Sequence, residues 1–470
     1  ERLPAPSTDQ LLQGQVAGVH VTTNSSRPGG GTSVRIRGTG SITSGSEPLY
    51  VIDGVPVYND NKSVPGTGGS SVAPNPLAGI NPQDIESIEV LKDASATAIY
   101  GSRGANGVVL ITTKQGRAGD RTISFSSSLG AQTPAKTFDV LTAEQYVQFA
   151  NEAAAFYGLG QVFPDPPDSY ETTDWQDQIY RQGVRQNYQL GVRGGNQDTR
   201  YALSGNYLNN EGIMVNSGFE RYSARINLDQ SVTSAFRVRA NVTASRALYA
   251  VTNEGGTTYS TGASLAAASF LPLVPVFNED GEYADQTQQV PFGSRPMENP
   301  VAWVREIDDD TAINRLLGNV EGMYDLLDNL QLRVSLGADI EELKREGYST
   351  RRLVQISQNG SASINMRNRM SLLNENVLNY NTRFADAHEL DVTAGFTWQN
   401  ETAEYASLQN GDFVADITRT DDIGAGSQPG GPNVGSSRSE WTLLSWLGRA
   451  NYSFRGRYLF TVTGRADGSS

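Results

Sequence analysis

The sequence predicts a membrane-spanning antiparallel β-barrel, present only in part and preceded by a small α+β domain. Three observations carry that expectation. From Gly119 onward apolar and polar residues alternate, which gives each strand one apolar and one polar face. The alternating runs are long: residues 200–209, 221–230 and 236–248 reach or exceed the ~9–11 residues that a tilted strand needs to cross a bilayer, against a mode of about 5–6 in globular sheets. The connections alternate in size, with tight turns at Gln197-Asp198 and Asp328-Asn329 and long stretches at 249–310 and 409–439, the rim asymmetry of membrane barrels.

Composition is consistent with this. A chain of 470 residues is too long for one ordinary core, so two or more units are expected. Hydrophobic residues make up 37% and charged ones 19%, and no window approaches the ~18–20 apolar residues of a spanning helix. A mean hydropathy of -0.41 is compatible with a barrel, whose strands are apolar on one face only. Cysteine is absent, which removes disulfide frameworks and thiolate metal sites. The net charge of -14 argues against a nucleic-acid partner, since phosphate contacts need clustered Lys and Arg. The acids are scattered, as on a solvated surface or a barrel lining. No signal peptide precedes Glu1, and the sequence stops at Asp467-Gly468-Ser469-Ser470 after a strand-like stretch, so it is read as a fragment cut at both ends.

Residues 1–117 form the first unit. Residues 11–21 suggest a short helix end feeding a strand, and 34–38 alternate. Residues 48–57 read as a buried apolar strand with a tight turn at Asp53-Gly54. A helical turn starts at Asn81-Pro82, a strand covers 88–92, and Asp93 caps a short helix over 94–100. Gly101, Gly104 and Gly107 break it before a last strand at 108–113. Their GxxGxxG spacing lacks the Lys-Ser/Thr of a phosphate loop, so they are read as glycines serving positive φ.

Residues 118–470 form the second unit, with roughly ten or eleven strands by alternation. In 236–244 the even positions are Phe, Val, Ala, Val and Ala; in 330–340 they are Leu, Leu, Val, Leu, Ala and Ile. Residues 222–228, 390–398 and 458–466 repeat the pattern. One helix stands out at 143–157, with Thr142 as its cap. Tyr188, Tyr207, Tyr222, Trp398, Trp446 and Tyr458 lie near strand ends, where interfacial girdles or ordinary strand aromatics both fit.

Catalytic signatures are missing. Only His20 and His388 occur, His388-Glu389 lacks a second His, and no G-x-S-x-G elbow precedes a helix. Residues 278–282 read as a plain turn and 308–310 as a solvated loop. No cofactor is expected.

The motifs LLQGQVAGVHV, RPGGGTSVRIRGTGSI, PLYVIDGVPV and INPQDIESIEVLKDASATAIYGSRGANGVVLITTK follow in order across residues 8–117. Together they resemble the plug domain of the SusC/RagA family of TonB-dependent transporters. The segments LTAEQYVQFANEAAAFYG, RPMENPVAW and SWLGRANYSFRGRYLFTVTGRADGSS resemble the family's barrel more weakly. The resemblance implies a barrel of about 22 strands, roughly half of it in this chain, with the plug held inside. It implies apical, substrate-facing loops carrying Ser41, Ser44, Glu47, Asn59, Asp60 and Asn61, and plug–barrel contacts at Arg37 and Arg103 that lean on barrel carboxylates. It further implies import of a glycan fragment or oligopeptide across the bacterial outer membrane, with outer-membrane lipid around the barrel. A SusD-like surface lipoprotein would cap the barrel. TonB, with ExbB/ExbD, would act through a segment ahead of Glu1 by strand pairing. On the residues alone two rivals stay open. One is a secreted β-rich glycan-binding or adhesion protein; the other is a hydrolase whose paired carboxylates would need no local motif.

Overall fold

Strand alternation organises most of the molecule. The computed structural model describes the chain apart from residues 1–7, 24, 26, 37, 39–46, 58–74, 76, 93–97, 253–261, 289–295, 354, 356–358 and 386.

In the N-terminal unit, β1 (Val19–Thr23) and β2 (Thr32–Ile36) pair antiparallel. A second sheet contains β3 (Leu49–Ile52), β4 (Val55–Val57), β5 (Ile85–Leu91) and β6 (Val108–Thr113) in the order β4-β3-β6-β5. The β3–β4 hairpin turns at Asp53 (φ 48) and Gly54 (φ 90), the paired positive φ of a twisted two-residue turn. Asn81 caps the 3-10 turn Pro82–Asp84 by accepting from the Gln83 N–H. Asp93, expected as a cap, lies outside the described residues; a 3-10 segment covers Ala98–Gly104 with a kink at Gly101. Gly101 and Gly107 have positive φ. Val34, Val57, Leu77, Val109 and Ile111 are buried in the core, each contributing on the order of 1.5–3 kcal/mol by leaving water.

Eleven strands form the second sheet: β7 (Gly119–Gln132), β8 (Gly183–Gly195), β9 (Thr199–Glu211), β10 (Gly218–Ser231), β11 (Phe236–Ala250), β12 (Ile307–Leu327), β13 (Leu330–Ser349), β14 (Ser361–Phe384), β15 (His388–Gly411), β16 (Asn433–Phe454) and β17 (Tyr458–Ser469). They lie in chain order and every neighbouring pair is antiparallel. β7 and β17 are the edges, so the sheet is not closed. Short turns (196–198, 232–235, 328–329, 385–387, 455–457) gather at one rim, and the connections 133–182, 251–306 and 412–432 at the other.

Two long connections are shorter than the alternation suggests, because the strands outrun their apolar stretch. On β13 the outward residues are Leu332, Val334, Leu336, Ala338 and Ile340, then Glu342, Lys344 and Glu346. Beyond Ile340 the outward face turns polar and inward Leu343 stands alone among charged residues, so alternation no longer marks the strand, although its ladder with β12 continues to Ser349. The 24 residues of β14 span about 80 Å at ~3.3 Å per residue, far beyond a ~30 Å hydrocarbon core. No helix among the described residues is long and apolar enough to cross a membrane.

The long connections fold into a helical cluster. α1 (Ala143–Phe156) carries the expected Thr142 cap, and Gln145 completes a capping box with it. α2 (Trp175–Ile179), α3 (Ala263–Ser269) and α4 (Pro300–Arg305) were not legible in the sequence. They are short, and they are held by packing of Trp175, Ile179, Phe270 and Trp303 rather than by periodicity. Residues 278–282 form a turn, with the Asn278 side chain accepting from the Asp280 and Glu282 N–H groups.

Candidate functional site at the seam between the two units

The inner face of the large sheet is polar, and the N-terminal unit rests on it. Register places Asn227 (β10), Asn241 (β11), Asn319 (β12), Gly337 (β13), Leu373 (β14) and Gln399 (β15) in one row across six strands. Asn227 donates to Asn241 at 2.6 Å, and Asn241 donates to Asn319 at 3.1 Å. The N-terminal unit touches this row four times. Gly116 N–H donates to Asn227 Oδ1 at 2.9 Å, and Asn319 donates to the Asp53 carbonyl at 3.1 Å. Val55 packs over Gly337, where an added Cβ would come within 3.2 Å of it. Arg103 donates to Gln399. The asparagine ladder satisfies its own inward amides and ends on backbone groups of the other unit, so the polar atoms of this row are met.

Nearer the long-loop rim the polarity is fixed by arginines of the large sheet. Arg221, 2% exposed, donates from Nη1 to the carbonyls of Ala78 (3.0 Å) and Ile80 (3.1 Å) and from Nη2 to Asn206 (3.1 Å). Arg225 donates to the Thr113 hydroxyl, and the Thr113 backbone N–H donates to Asp53 Oδ1 at 2.9 Å. Gly79 lies so close to Ser245 on β11 that a Cβ on it would be 3.5 Å from the serine Cβ.

Asp84 is buried at this seam and accepts from Gln189 at 3.1 Å. Desolvation raises its pKa above the ordinary carboxylate range, against the opposing fields of Arg225, Lys114 and Arg221. Desolvation also lowers the Arg103 pKa to about 10, helped by the positive field of Arg465 and opposed by Asp467 and Glu375. Arg103 therefore stays charged at neutral pH, and the barrel group it touches is an amide, with carboxylates acting at longer range.

Of the residues singled out in the sequence, Arg103 sits at the seam. The Glu47 carboxylate is turned into its own unit, accepting from the Ser33 hydroxyl and from Val34 N–H at 2.9 Å. Arg37, Ser41, Ser44, Asn59, Asp60 and Asn61 lie outside the described residues. Sequence reading missed the barrel-side groups Arg221, Arg225 and the asparagine row; polar residues at alternating inward positions were the available signal, but only register shows that they line up. It also misread 308–310. Asp309 is on β12, 3% exposed, and paired with Arg345 from β13 through two hydrogen bonds. On the same wall Asp339, fully buried, accepts from Arg315 through two 2.7 Å hydrogen bonds and from Arg369 at 3.3 Å.

Residues 1–108 match the family model described as TonB-dependent Receptor Plug Domain. TonB-dependent receptor P3 of Formosa agariphila is 34% identical over 99% of this chain and 44% of its own length. TonB-dependent receptor SusC of Bacteroides thetaiotaomicron is 32% identical over 99% of this chain and 46% of its own. Over nearly its whole length the chain is similar to SusC-type TonB-dependent receptors, and its first 108 residues match their plug domain. Its N-terminal unit is the plug, and its large sheet is part of the wall of a transporter β-barrel. The chain spans less than half the length of these curated relatives. Solved structures share the fold: the RagAB peptide transporter superposes with a TM-score of 0.82 at 24% identity, covering 100% of this chain and 54% of that one. The ferric citrate transporter FecA gives 0.61 at 13% identity, with 98% and 53% covered.

Proposed function

We propose that the protein containing this chain imports a large nutrient, a glycan fragment or an oligopeptide, across the bacterial outer membrane by a TonB-dependent mechanism. The observation that carries this reading is the seam. The plug is held against a polar wall by hydrogen bonds, several of them to its backbone, with few apolar contacts, among them those of Leu317 and Ala78. A seam of this kind can be parted and reformed in the presence of water at modest net cost, because each hydrogen bond is worth only about 0.5–1.5 kcal/mol net. A large apolar interface would not release in that way. The plug is read as residues 1–117 and the barrel wall as 118–470. Ser41, Ser44, Asn59, Asp60 and Asn61 are assigned to the substrate-facing side, with Glu47 bracing that loop from within the plug, and Arg37 and Arg103 to the barrel contact. A SusD-like surface lipoprotein would deliver the substrate, and TonB with ExbB/ExbD would supply the pull. The chain's role is transport rather than catalysis.

The test is genetic. Deleting the full-length gene should abolish growth on one class of polymer fragment, oligosaccharide or oligopeptide, and inactivating TonB should reproduce the defect. Unimpaired growth on every fragment tested in both strains would overturn the proposal.

A further inference from the structure

The outward face of the large sheet carries a groove that transport does not use. Two adjacent register rows build it. The lower row places Gly205, Ala224 and Ala244 side by side on β9, β10 and β11. It continues through Leu190 and Phe125 on one side and Leu316 and Ile340 on the other. Three small residues between pairs of large ones leave a trough about three strands wide, or roughly 15 Å at ~4.8 Å per strand. Its volume is about 830 Å³ and its lining is mostly apolar. The next row down, with Leu203, Ile226 and Val242, is apolar as well.

The upper row changes character. Tyr188, Tyr207 and Tyr222 stand directly opposed on β8, β9 and β10, followed by Arg246 on β11 and Asn314 on β12. Tyr188 and Tyr207 stack with centroids 6.4 Å apart. The nearest acid, Glu220, is already engaged, accepting from the Tyr207 and Tyr222 hydroxyls at 2.8 and 2.7 Å. Arg246 is exposed and makes no ion pair or side-chain hydrogen bond among the described residues. Glu342 lies two strands away, across Asn314.

This row is also where the β13 outer face passes from Ile340 to Glu342, the level at which hydrocarbon gives way to headgroups. The rim beyond it bears the long connections, the extracellular side of such barrels. An unpaired guanidinium at that level, above an apolar trough and beside a tyrosine shelf, matches an amphiphile with acyl chains below and an anion above.

We propose that this groove binds a phosphate-bearing, multiply acylated lipid of the outer leaflet, with Arg246 as the contact to its phosphate. The assignment rests on the outer-membrane reading. The trough floor lies on β9–β11 and its phosphate-side row on β8–β13; only Phe125, at one end, is on the edge strand β7, so the floor and the Arg246 contact do not depend on what pairs with β7 or β17.

The full-length protein, purified in detergent and folded by its heat-dependent gel mobility, is titrated with lipid A and followed by native mass spectrometry. One lipid A should be retained per protein, and enzymatically dephosphorylated lipid A should bind about tenfold more weakly, the value of one charge-assisted contact. Arg246→Gln should erase the difference between the two lipids, while Arg383→Gln at the short-turn rim should leave it intact. Ala244→Phe, which fills the trough floor, should remove binding of both. Equal retention of phosphorylated and dephosphorylated lipid by the wild-type protein would overturn the proposal, as would unchanged selectivity in Arg246→Gln. Equal retention of phosphatidylglycerol would overturn the assignment to the outer-leaflet lipid. A full-length protein that is soluble without detergent defeats the membrane reading itself; a detergent-dependent protein without selective retention defeats only the groove.

Discussion

Replacing Asp339 by Asn removes one charge and almost no volume, so it isolates the electrostatics of the inner wall. Asp339 is fully buried and Arg315 nearly so, with side-chain exposures of 0% and 6%. The two 2.7 Å bonds to Arg315 and the 3.3 Å bond to Arg369 tie β12, β13 and β14 together at one carboxylate. In the variant two buried guanidiniums lose that counter-charge, and breaking a buried pair in this way costs about 3–5 kcal/mol. Arg383 and Glu389 provide the control, 66% and 50% exposed, where an ion pair is worth at most about 1 kcal/mol. Unfolding of the detergent-solubilised full-length protein, followed by its heat-dependent gel mobility across a denaturant series, should show a large loss for Asp339→Asn and almost none for Glu389→Gln. Replacing Arg315, Asp339 and Arg369 together with apolar residues of similar volume should recover most of the loss. If Asp339→Asn unfolds together with the wild type, the inner-wall charges are not buried as described and the reasoning fails.

Two further outcomes concern the seam. Arg221→Met keeps the aliphatic stem but removes the donors to the Ala78 and Ile80 carbonyls, and leaving such groups unmet costs about 1–3 kcal/mol. Hydrogen exchange should accelerate in the plug around residues 78–80 and hold steady in the α1–α4 cluster; uniform protection would contradict the contact. Asp84 has a raised pKa in the folded protein, so the folded state binds more protons than the unfolded one between the two values. Its contribution is fully present below the unfolded value of 3.8 and is lost as pH rises through the folded one. Asp84→Asn should therefore stabilise plug seating at neutral pH, with the gain disappearing in acid. A gain independent of pH would show that desolvation of the carboxylate is not its source.

The fold was legible to the extent that hydrophobicity reported it. Alternation located the strands through the apolar band, and Asp53-Gly54 marked its hairpin because few residues tolerate two successive positive φ values. Legibility stopped at Ile340 on β13, where the outward face turns polar, and at α2, α3 and α4, which are too short for periodicity and depend on Trp175 and Trp303 packing in one cluster. The seam was half legible. Arg103 was recognised through its motif, but Arg221, Arg225 and the asparagine row belong to strands whose inward residues look alike one at a time. Their function lies in register, and register is set by pairing across the sheet.

The central claim is that the plug is seated on this wall and must move for import. Gly79→Cys with Ser245→Cys places two Cβ atoms about 3.5 Å apart, within the range a disulfide accepts, in a chain with no other cysteine. Carried by the full-length transporter in cells that depend on it for growth on its nutrient, the oxidised pair should form in high yield and stop uptake, and reductant should restore it. Failure of the pair to form, or full uptake with the bond in place, would contradict the account.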